Sequence, residues 1–221
     1  MANILRQGHG LQLDHVGISV PDTESGIAQF ESLTGAPVAL DPPEPDQWYW
    51  SGTVPLAKDS FLEIVGPNPT NEIDHPMRPY VSQLKKPAVT FWYAAVRDID
   101  KLAQDAEVAG GSVMFKTLVN EEDDPARSRF TFGALGPDFV LQKPSLIQWE
   151  RQIQRTGFND MEVVCKVLAL ELFHVNAEVI NPVLAQLGFD IRIHEGDSRF
   201  RLVLDTPNGE VVFDNPGVPG L

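Results

Sequence analysis

The segment Leu13-Asp-His-Val-Gly-Ile-Ser-Val-Pro-Asp22, followed by residues 23–35, decides the fold of this chain. Because successive strand residues point to opposite sides, it predicts a strand over 11–20, with His15 on one face and three apolar residues on the other: Val16, Ile18 and Val20. Asp22 is a typical helix N-cap, and Gly35 is a typical helix stop. Between them, apolar residues recur at helical spacing: Ile27, Phe30 and Leu33. The segment therefore predicts a strand followed by an amphipathic helix.

The same pattern recurs twice further along the chain. Asp98 repeats Asp22 after 76 residues, between a predicted strand over 88–96 and a helix that ends at Gly110. Asn176 repeats Asp98 after 78 residues, between a predicted strand over 163–173 and a helix that ends at Gly188. Proline is tolerated in the first turn of a helix but not in its interior, so the third helix begins either after Asn176 or at Asn181-Pro182.

Three β-rich segments follow each predicted helix, so each unit has the order βαβββ. We therefore predict an α+β fold built from repeated modules over residues 11–66, 87–150 and 161–215, of which the third is the most divergent. Residues 66–86 and 151–160 are the predicted linkers.

Composition excludes several classes of function. The chain of 221 residues carries 17 basic and 31 acidic residues, and its formal charge of −14 would repel both a phosphate backbone and anionic lipid. We therefore expect neither nucleic-acid nor membrane binding. Cys165 is the single cysteine, so no intrachain disulfide is possible. No apolar run approaches the ~18 residues that span a bilayer, and residues 1–10 lack a signal-peptide core, so the sequence predicts a cytoplasmic protein.

Three segments carry a resemblance to a known family. The first is the opening 13–22 segment with the helix end Phe30-Glu-Ser-Leu-Thr-Gly35, which resembles the first strand and helix of the vicinal oxygen chelate superfamily. The other two resemble the fourth strands of its first and second modules: Phe61-Leu-Glu-Ile-Val-Gly-Pro67 and Pro144-Ser-Leu-Ile-Gln-Trp-Glu150. This superfamily includes glyoxalases, bleomycin-resistance proteins and extradiol dioxygenases, and the likeness is closest to its glyoxalase-like branch. The resemblance implies paired modules whose sheet curls around a cavity for a small-molecule ligand.

The resemblance also implies a divalent metal ion held by a first-strand histidine and a fourth-strand glutamate of each module. In the first module these positions are His15 and Glu63, which are the predicted catalytic and metal-binding residues. In the second module they are Phe91 and Gln148, neither of which is a strong ligand. Half of the expected metal shell is therefore missing, unless other histidines supply it: His75, His174 or His194.

Other residues have both a structural and a functional interpretation. The predicted ligand cavity includes Trp48, Trp50, Phe91, Tyr93 and Gln148, and its aromatic character favours an apolar ligand, although tryptophans are also used in protein cores. Two arginine pairs, Arg127 with Arg129 and Arg199 with Arg201, could bind a carboxylate or only balance charge. Cys165 lies in an apolar strand, which is typical of an inert core thiol.

Two functions follow from these residues. The first is a lyase, isomerase or dioxygenase of the glyoxalase superfamily that uses the His15 and Glu63 pair with or without a metal ion. The second is a non-catalytic protein that binds or sequesters an apolar or aromatic small molecule. Because a third module has no partner module in the chain, we expect it to pack on the second module or to form a homodimer.

Overall fold

The computed structural model describes residues 12–40, 42–57, 59–120, 129–136, 143–149 and 161–215; for 114–120, 129–130, 132, 134 and 136 it describes the backbone alone. In chain order the elements are β1 (Gln12–Ser19), α1 (Thr23–Thr34), β2 (Ala39–Leu40), β3 (Tyr49–Ala57), β4 (Ser60–Pro67), α2 (Met77–Ser82), β5 (Ala88–Ala95), α3 (Ile99–Val108), β6 (Ser112–Asn120), β7 (Arg129–Gly136), β8 (Ser145–Trp149), β9 (Lys166–His174), α4 (Ala177–Gln186), β10 (Ile193–Glu195), β11 (Arg199–Thr206) and β12 (Gly209–Asn215). Among these residues, no helix is both long enough and apolar enough to cross a membrane.

Eight strands from the first two units form one sheet in the order β2-β3-β4-β1-β5-β8-β7-β6. Strands β1 and β5 run antiparallel at its centre, while β1 pairs in parallel with β4 and β5 pairs in parallel with β8. The two halves therefore have the same strand order and meet at their first strands. The predicted α+β architecture with paired glyoxalase-like units is confirmed.

Local sequence fixes the helices of both halves. The Asp22 side chain accepts a hydrogen bond from the Ser25 amide at 2.9 Å, and the Asp98 side chain accepts one from the Lys101 amide at the same distance. Gly35 ends α1 in the left-handed conformation, with φ of 71°. Each aspartate satisfies an amide that the first helical turn leaves unpaired, so both predicted caps are confirmed.

One face of the eight-stranded sheet, here called the helix face, is buried beneath helices. It carries apolar residues of β1, β4 and β5 that are almost fully buried: Val16, Ile18, Leu62, Ile64, Trp92 and Ala94. Phe30 of α1 belongs to the same buried core. Because side chains alternate along a strand, the intervening residues, including His15 and Glu63, point to the opposite face. We call that opposite face the site face.

The third unit forms its own four-stranded sheet in the order β10-β9-β11-β12. Its first strand pairs in parallel with β10 and antiparallel with β11, whereas in the other two units the first strand pairs with the last. The predicted element order βαβββ is present here, but the strands are arranged differently. The module boundaries at residues 11–66, 87–150 and 161–215 stay a prediction.

Helix α4 runs through Pro182, so a start at Asn181-Pro182 is wrong. The missing proline amide leaves one intrahelical bond unmade. Tertiary contacts offset that loss: the Asn181 side chain bonds both the amide and the carbonyl of Ile193, and Ile180 and Leu184 are buried in the core. A second departure is the short helix α2, which lies inside the predicted linker 66–86.

The four-stranded sheet packs within the chain against α1 and β5. Phe213 stacks on Phe30 of α1 at 5.5 Å, and Phe189 meets the edge of Trp92 of β5 at 6.3 Å. At the end of α1, the backbone amide of Asn208 donates to the Thr34 carbonyl. The third unit therefore contacts both the first and the second unit, rather than the second alone.

Candidate functional site

The His15 imidazole lies between two aromatic rings on the site face. In register, His15 faces Phe61 of β4 on one side and Tyr93 of β5 on the other. Its ring stacks on Phe61 at 4.6 Å and on Tyr93 at 4.3 Å, while Phe91 approaches edge-on at 6.0 Å. His15 is 6% exposed, so its orientation is set by packing and by the partners of its two ring nitrogens.

A β-bulge places a carboxylate beside this imidazole. Leu13 pairs with Ala94 and His15 pairs with Tyr93, so Asp14 is an extra residue in β1. Adjacent strand residues normally face opposite sides, but the Asp14 carboxylate contacts His15 Nδ1 at 2.6 Å. The other Asp14 oxygen accepts a hydrogen bond of 2.6 Å from the Trp149 indole of β8.

The second ring nitrogen of His15 faces Glu63. His15 Nε2 lies 3.8 Å from a carboxylate oxygen of Glu63, and the two side chains are 8% and 19% exposed. Because Asp14 occupies Nδ1, Nε2 is the nitrogen that can exchange a proton with Glu63 or with a bound molecule. The predicted meeting of an opening-strand imidazole and a fourth-strand carboxylate is therefore present in the geometry.

Tyr93 adds a neutral hydroxyl to the site. Burial raises its pKa to about 12, and the negative charges of Glu63 and Asp14 act in the same direction, against a smaller opposite effect of its hydrogen bond with Ser145. The phenol is therefore protonated at neutral pH and can act as a hydrogen-bond donor.

The second unit presents different residues at the matching positions. His15 pairs with Tyr93 and Gly17 pairs with Phe91, so the antiparallel pairing of β1 and β5 makes Phe91 the counterpart of His15. Glu63 pairs with Gly17, and the residue that pairs with Tyr93 is Ser145. The counterpart of Glu63 is therefore Ser145, and the assignment of Gln148 to this position is wrong.

Gln148 faces the helices. Its side-chain oxygen accepts a hydrogen bond of 2.7 Å from the Ile99 amide, at the first residue of α3. Strand alternation explains this placement, since Gln148 lies three residues after Ser145 and so points to the opposite face of β8. Gln148 caps a helix rather than lining the site face.

A sequence model of the glyoxalase-like domain family matches residues 13–188, which is most of the chain. The chain belongs to the glyoxalase-like domain family. The resemblance carried by the first and fourth strands is thereby confirmed. No curated protein sequence matches the chain.

Solved structures include folds similar to that of this glyoxalase-like chain. A hypothetical protein from Staphylococcus aureus matches with a TM-score of 0.56 and 10% identity, over 92% of this chain and 84% of that one. Methylmalonyl-CoA epimerase from Mycobacterium tuberculosis matches with a TM-score of 0.44 and 18% identity, over 67% of this chain and 91% of that one. At these identities the likeness concerns the fold alone.

The described residues of this glyoxalase-like chain do not fit a catalytic metal ion. His15 and Glu63 are two suitable donors, but their counterparts are Phe91, which cannot ligate, and Ser145, a neutral hydroxyl. A catalytic site of this kind usually has ~3 protein ligands. Among the side chains that the structure describes, no group of three histidine, cysteine, aspartate or glutamate residues could hold a metal.

Two residues of the predicted ligand cavity, Trp48 and Trp50, lie away from the site face. Trp50 pairs with Gly66, one position away from the Ser51 and Val65 pair, so strand alternation directs it to the same side of the sheet as Leu62 and Ile64. Trp48 precedes β3 and stacks face to face on His75 at 4.6 Å. His75 Nδ1 in turn accepts a hydrogen bond from the Met77 amide at the start of α2, and burial lowers the pKa of this imidazole.

The arginine candidates of the third unit have structural partners. Arg199 forms a bidentate ion pair with Asp214 at 2.7 and 2.8 Å, and Arg201 pairs with Glu171 at 2.6 Å, so the charge-balance interpretation fits both. Arg127 and the side chain of Arg129 lie outside the described residues.

Three further side chains of the third unit have local environments of their own. His174 Nδ1 accepts a hydrogen bond from the Asn176 amide, and the His194 ring packs on Phe173 at 5.2 Å. Cys165 is fully buried, and burial together with Asp205 raises the pKa of its thiol to about 11, which is the inert core thiol that the sequence predicts.

Four residues of the site are not predicted from the sequence: Asp14, Phe61, Ser145 and Trp149. Asp14 is visible as an acid next to His15, but strand alternation sends it to the helix face unless a bulge intervenes. Ser145 and Trp149 share one face of β8 by alternation, and a correct register for this strand would have found both.

Proposed function

We propose that this glyoxalase-like protein is an enzyme that moves a proton on a small carbonyl compound, with His15 and Glu63 as the acid–base pair. One observation carries the proposal: His15 Nε2 and a Glu63 oxygen face each other at 3.8 Å on the site face. This separation is just beyond a hydrogen bond, and catalytic pairs commonly tighten when a substrate binds. Membership of the family supports a small-molecule ligand.

Glu63 is the group that takes the proton from substrate. Its side chain is more exposed than that of His15, at 19% against 8%, so it is the more accessible of the two bases. His15, with Nδ1 held by Asp14, shares the abstracted proton through Nε2. The neutral Tyr93 hydroxyl is a donor that can stabilise negative charge as it develops on a carbonyl oxygen.

The surrounding rings define what the site accepts. Phe61, Phe91 and Tyr93 provide apolar surface next to the two ionisable groups. We therefore expect a compound with an acidic C–H bond beside its carbonyl group and an apolar or aromatic substituent. A lyase or isomerase step fits this chemistry, because both begin with removal of such a proton.

Proton exchange in D₂O tests the proposal on a panel of compounds that share this chemistry. Aryl-substituted ketones, 2-oxo acids and thioesters are incubated with the protein, and loss of the C–H signal is followed by NMR. We expect wild-type exchange above background on a member of this panel and a loss of about 100-fold or more in Glu63→Gln. The matched control is Glu195→Gln, which changes an exposed glutamate on β10. This variant should catalyse proton exchange at the wild-type rate. Retention of exchange by Glu63→Gln contradicts the proposal.

A second function is favoured by the aromatic rings themselves. If the protein only binds an apolar compound, His15 serves to complete the stack of rings, and no proton transfer occurs. In that case, hydrophobic ligands raise the melting temperature equally in wild type and Glu63→Gln, whereas Phe91→Ala weakens the shift. Absence of exchange across the panel together with this pattern selects the binding protein over the enzyme.

A further inference from the structure

We infer that Asp14 is a positioning residue that holds His15 in its Nδ1–H tautomer, and that Trp149 of the second unit holds Asp14 in turn. The inference rests on the proposed function for its catalytic meaning, but not for its structural test. Its basis is the bulge in β1, the two contacts of the Asp14 carboxylate and the position of Glu63 at the far ring nitrogen.

The bulge is what brings the acid to the imidazole. In a regular strand Asp14 would point to the helix face, among apolar residues such as Trp92 and Ala94. The extra residue turns it to the side of His15, where it is 4% exposed and hydrogen-bonded at both oxygens. A buried carboxylate needs such partners, and here the imidazole and the indole supply them.

Hydrogen-bond chemistry decides which nitrogen of His15 carries the proton. An indole N–H can only donate, so the Asp14 oxygen that meets Trp149 is an acceptor. An ionised carboxylate accepts at both oxygens, so His15 Nδ1 must donate to the other. In the neutral imidazole this leaves the lone pair on Nε2, on the side of Glu63, which is the state needed to receive a proton.

This arrangement joins the two halves of the sheet at the site. Trp149 is the last residue of β8 in the second unit, and 135 positions separate it from Asp14 in the first. The second unit has neither an imidazole nor a carboxylate at its own matching positions, Phe91 and Ser145. It contributes instead the donor that orients the carboxylate of the first unit.

The Asp14→Asn variant tests the inference most directly. The amide oxygen can still accept from Trp149, but the amide NH₂ must then donate to His15 Nδ1, which moves the imidazole proton to Nε2. Nε2–H would then donate to Glu63 and could no longer accept a proton. We expect proton exchange on the panel to fall by about 100-fold or more with the fold intact by circular dichroism. The control is Asp197→Asn, an exposed aspartate of the third unit, for which no change is expected.

Imidazole ¹⁵N NMR reads the tautomer without any substrate. In wild type we expect a pyrrole-type Nδ1 and a pyridine-type Nε2 for His15, and the reverse in Asp14→Asn. Trp149→Phe keeps an aromatic ring but removes the donor to Asp14, so we expect the wild-type tautomer to persist and exchange to fall about 10-fold. A wild-type spectrum with protonated Nε2 and bare Nδ1 overturns the inference.

The outcomes separate this inference from the proposed function. If Glu63→Gln retains exchange while the ¹⁵N spectrum shows the expected tautomers, the proposed function fails and the positioning of His15 stands. If Glu63→Gln loses exchange but the tautomer is the same in wild type and Asp14→Asn, the positioning role fails and the acid–base pair stands. The wild-type spectrum alone decides the tautomer should Asp14→Asn not fold.

Discussion

The substitution Gly17→Ala tests whether the Phe91 ring of the second unit lies over the first strand. A Cβ at Gly17 would lie 2.0 Å from Phe91 Cζ and 2.2 and 2.3 Å from its two Cε atoms. Carbon atoms in contact sit ~3.5–4.0 Å apart, so the ring would have to move by about 1.5–2 Å. The ring is also confined by edge contacts with His15 and Tyr93 at 6.0 and 5.9 Å.

The expected cost is that of overpacking. Forcing an added carbon into a packed site typically lowers the free energy of unfolding by about 1–3 kcal/mol. For a chain of this length, each kcal/mol lowers the melting temperature by ~2–4 °C. We therefore expect Gly17→Ala to be several degrees less stable than wild type in urea and thermal unfolding followed by tryptophan fluorescence.

A double-mutant cycle identifies the ring as the cause. The Phe91→Ala background lacks the three atoms that lie nearest to the added carbon, and alanine suits a strand better than glycine does, so Gly17→Ala should cost at most about 0.5 kcal/mol there. The coupling between the two positions should thus be about 1–3 kcal/mol. Equal costs of Gly17→Ala in both backgrounds would refute the placement of the Phe91 ring over Gly17.

Three further predictions concern packing, pH and metal binding. Asn215 is 3% exposed and its amide donates to the Val89 carbonyl at 2.9 Å, so Asn215→Ala should lower the free energy of unfolding by about 1–3 kcal/mol, measured in urea; an unchanged midpoint would contradict the docking of the four-stranded sheet on β5. The pKa of Tyr93 is raised to about 12 from 10.0, so its contribution to stability is full below pH 10 and is lost as pH rises through about 12. In wild type the free energy of unfolding should therefore fall by an amount on the order of 2–3 kcal/mol over that window, and Tyr93→Phe should remove this fall. Adding ligands at the two counterpart positions, Phe91→His with Ser145→Glu, should raise zinc binding in equilibrium dialysis to about one ion per chain against much less for wild type; equal binding by both would show that these positions do not complete the shell.

The local structure of the two large units is predicted well from the sequence. Asp22 and Asp98 cap their helices through contacts three residues away, and such short-range signals are legible before the fold is known. The helix-face residues of β1 follow from alternation alone. The same reasoning places Glu63 opposite its neighbours Leu62 and Ile64, and His15 opposite Val16, because those apolar neighbours must be buried.

Alternation fails wherever strand pairing shifts by one residue. Asp14 changes face because of a bulge against β5, and the residues next to it in the sequence do not predict that bulge. The fourth-strand motif makes Gln148 the match of Glu63, but the register of β8 against β5 makes Ser145 the match. An odd-numbered difference in register, here three residues between Ser145 and Gln148, exchanges the two faces of a strand, so this error predicts a cavity residue where the structure has a helix cap.

The amino-acid sequence by itself determined the repeated order of a strand, a helix and β-rich segments, the N-caps of α1 and α3, and the family to which the chain belongs. These features depend on side chains within a few positions of one another. Tertiary structure alone decided that the Trp149 indole reaches Asp14 across the central strand pair, that Phe91 fills the space over Gly17, and that the last four strands dock on α1 and β5. Those contacts join segments tens to more than a hundred residues apart, and their geometry is set by hydrogen-bond register between strands rather than by any local pattern.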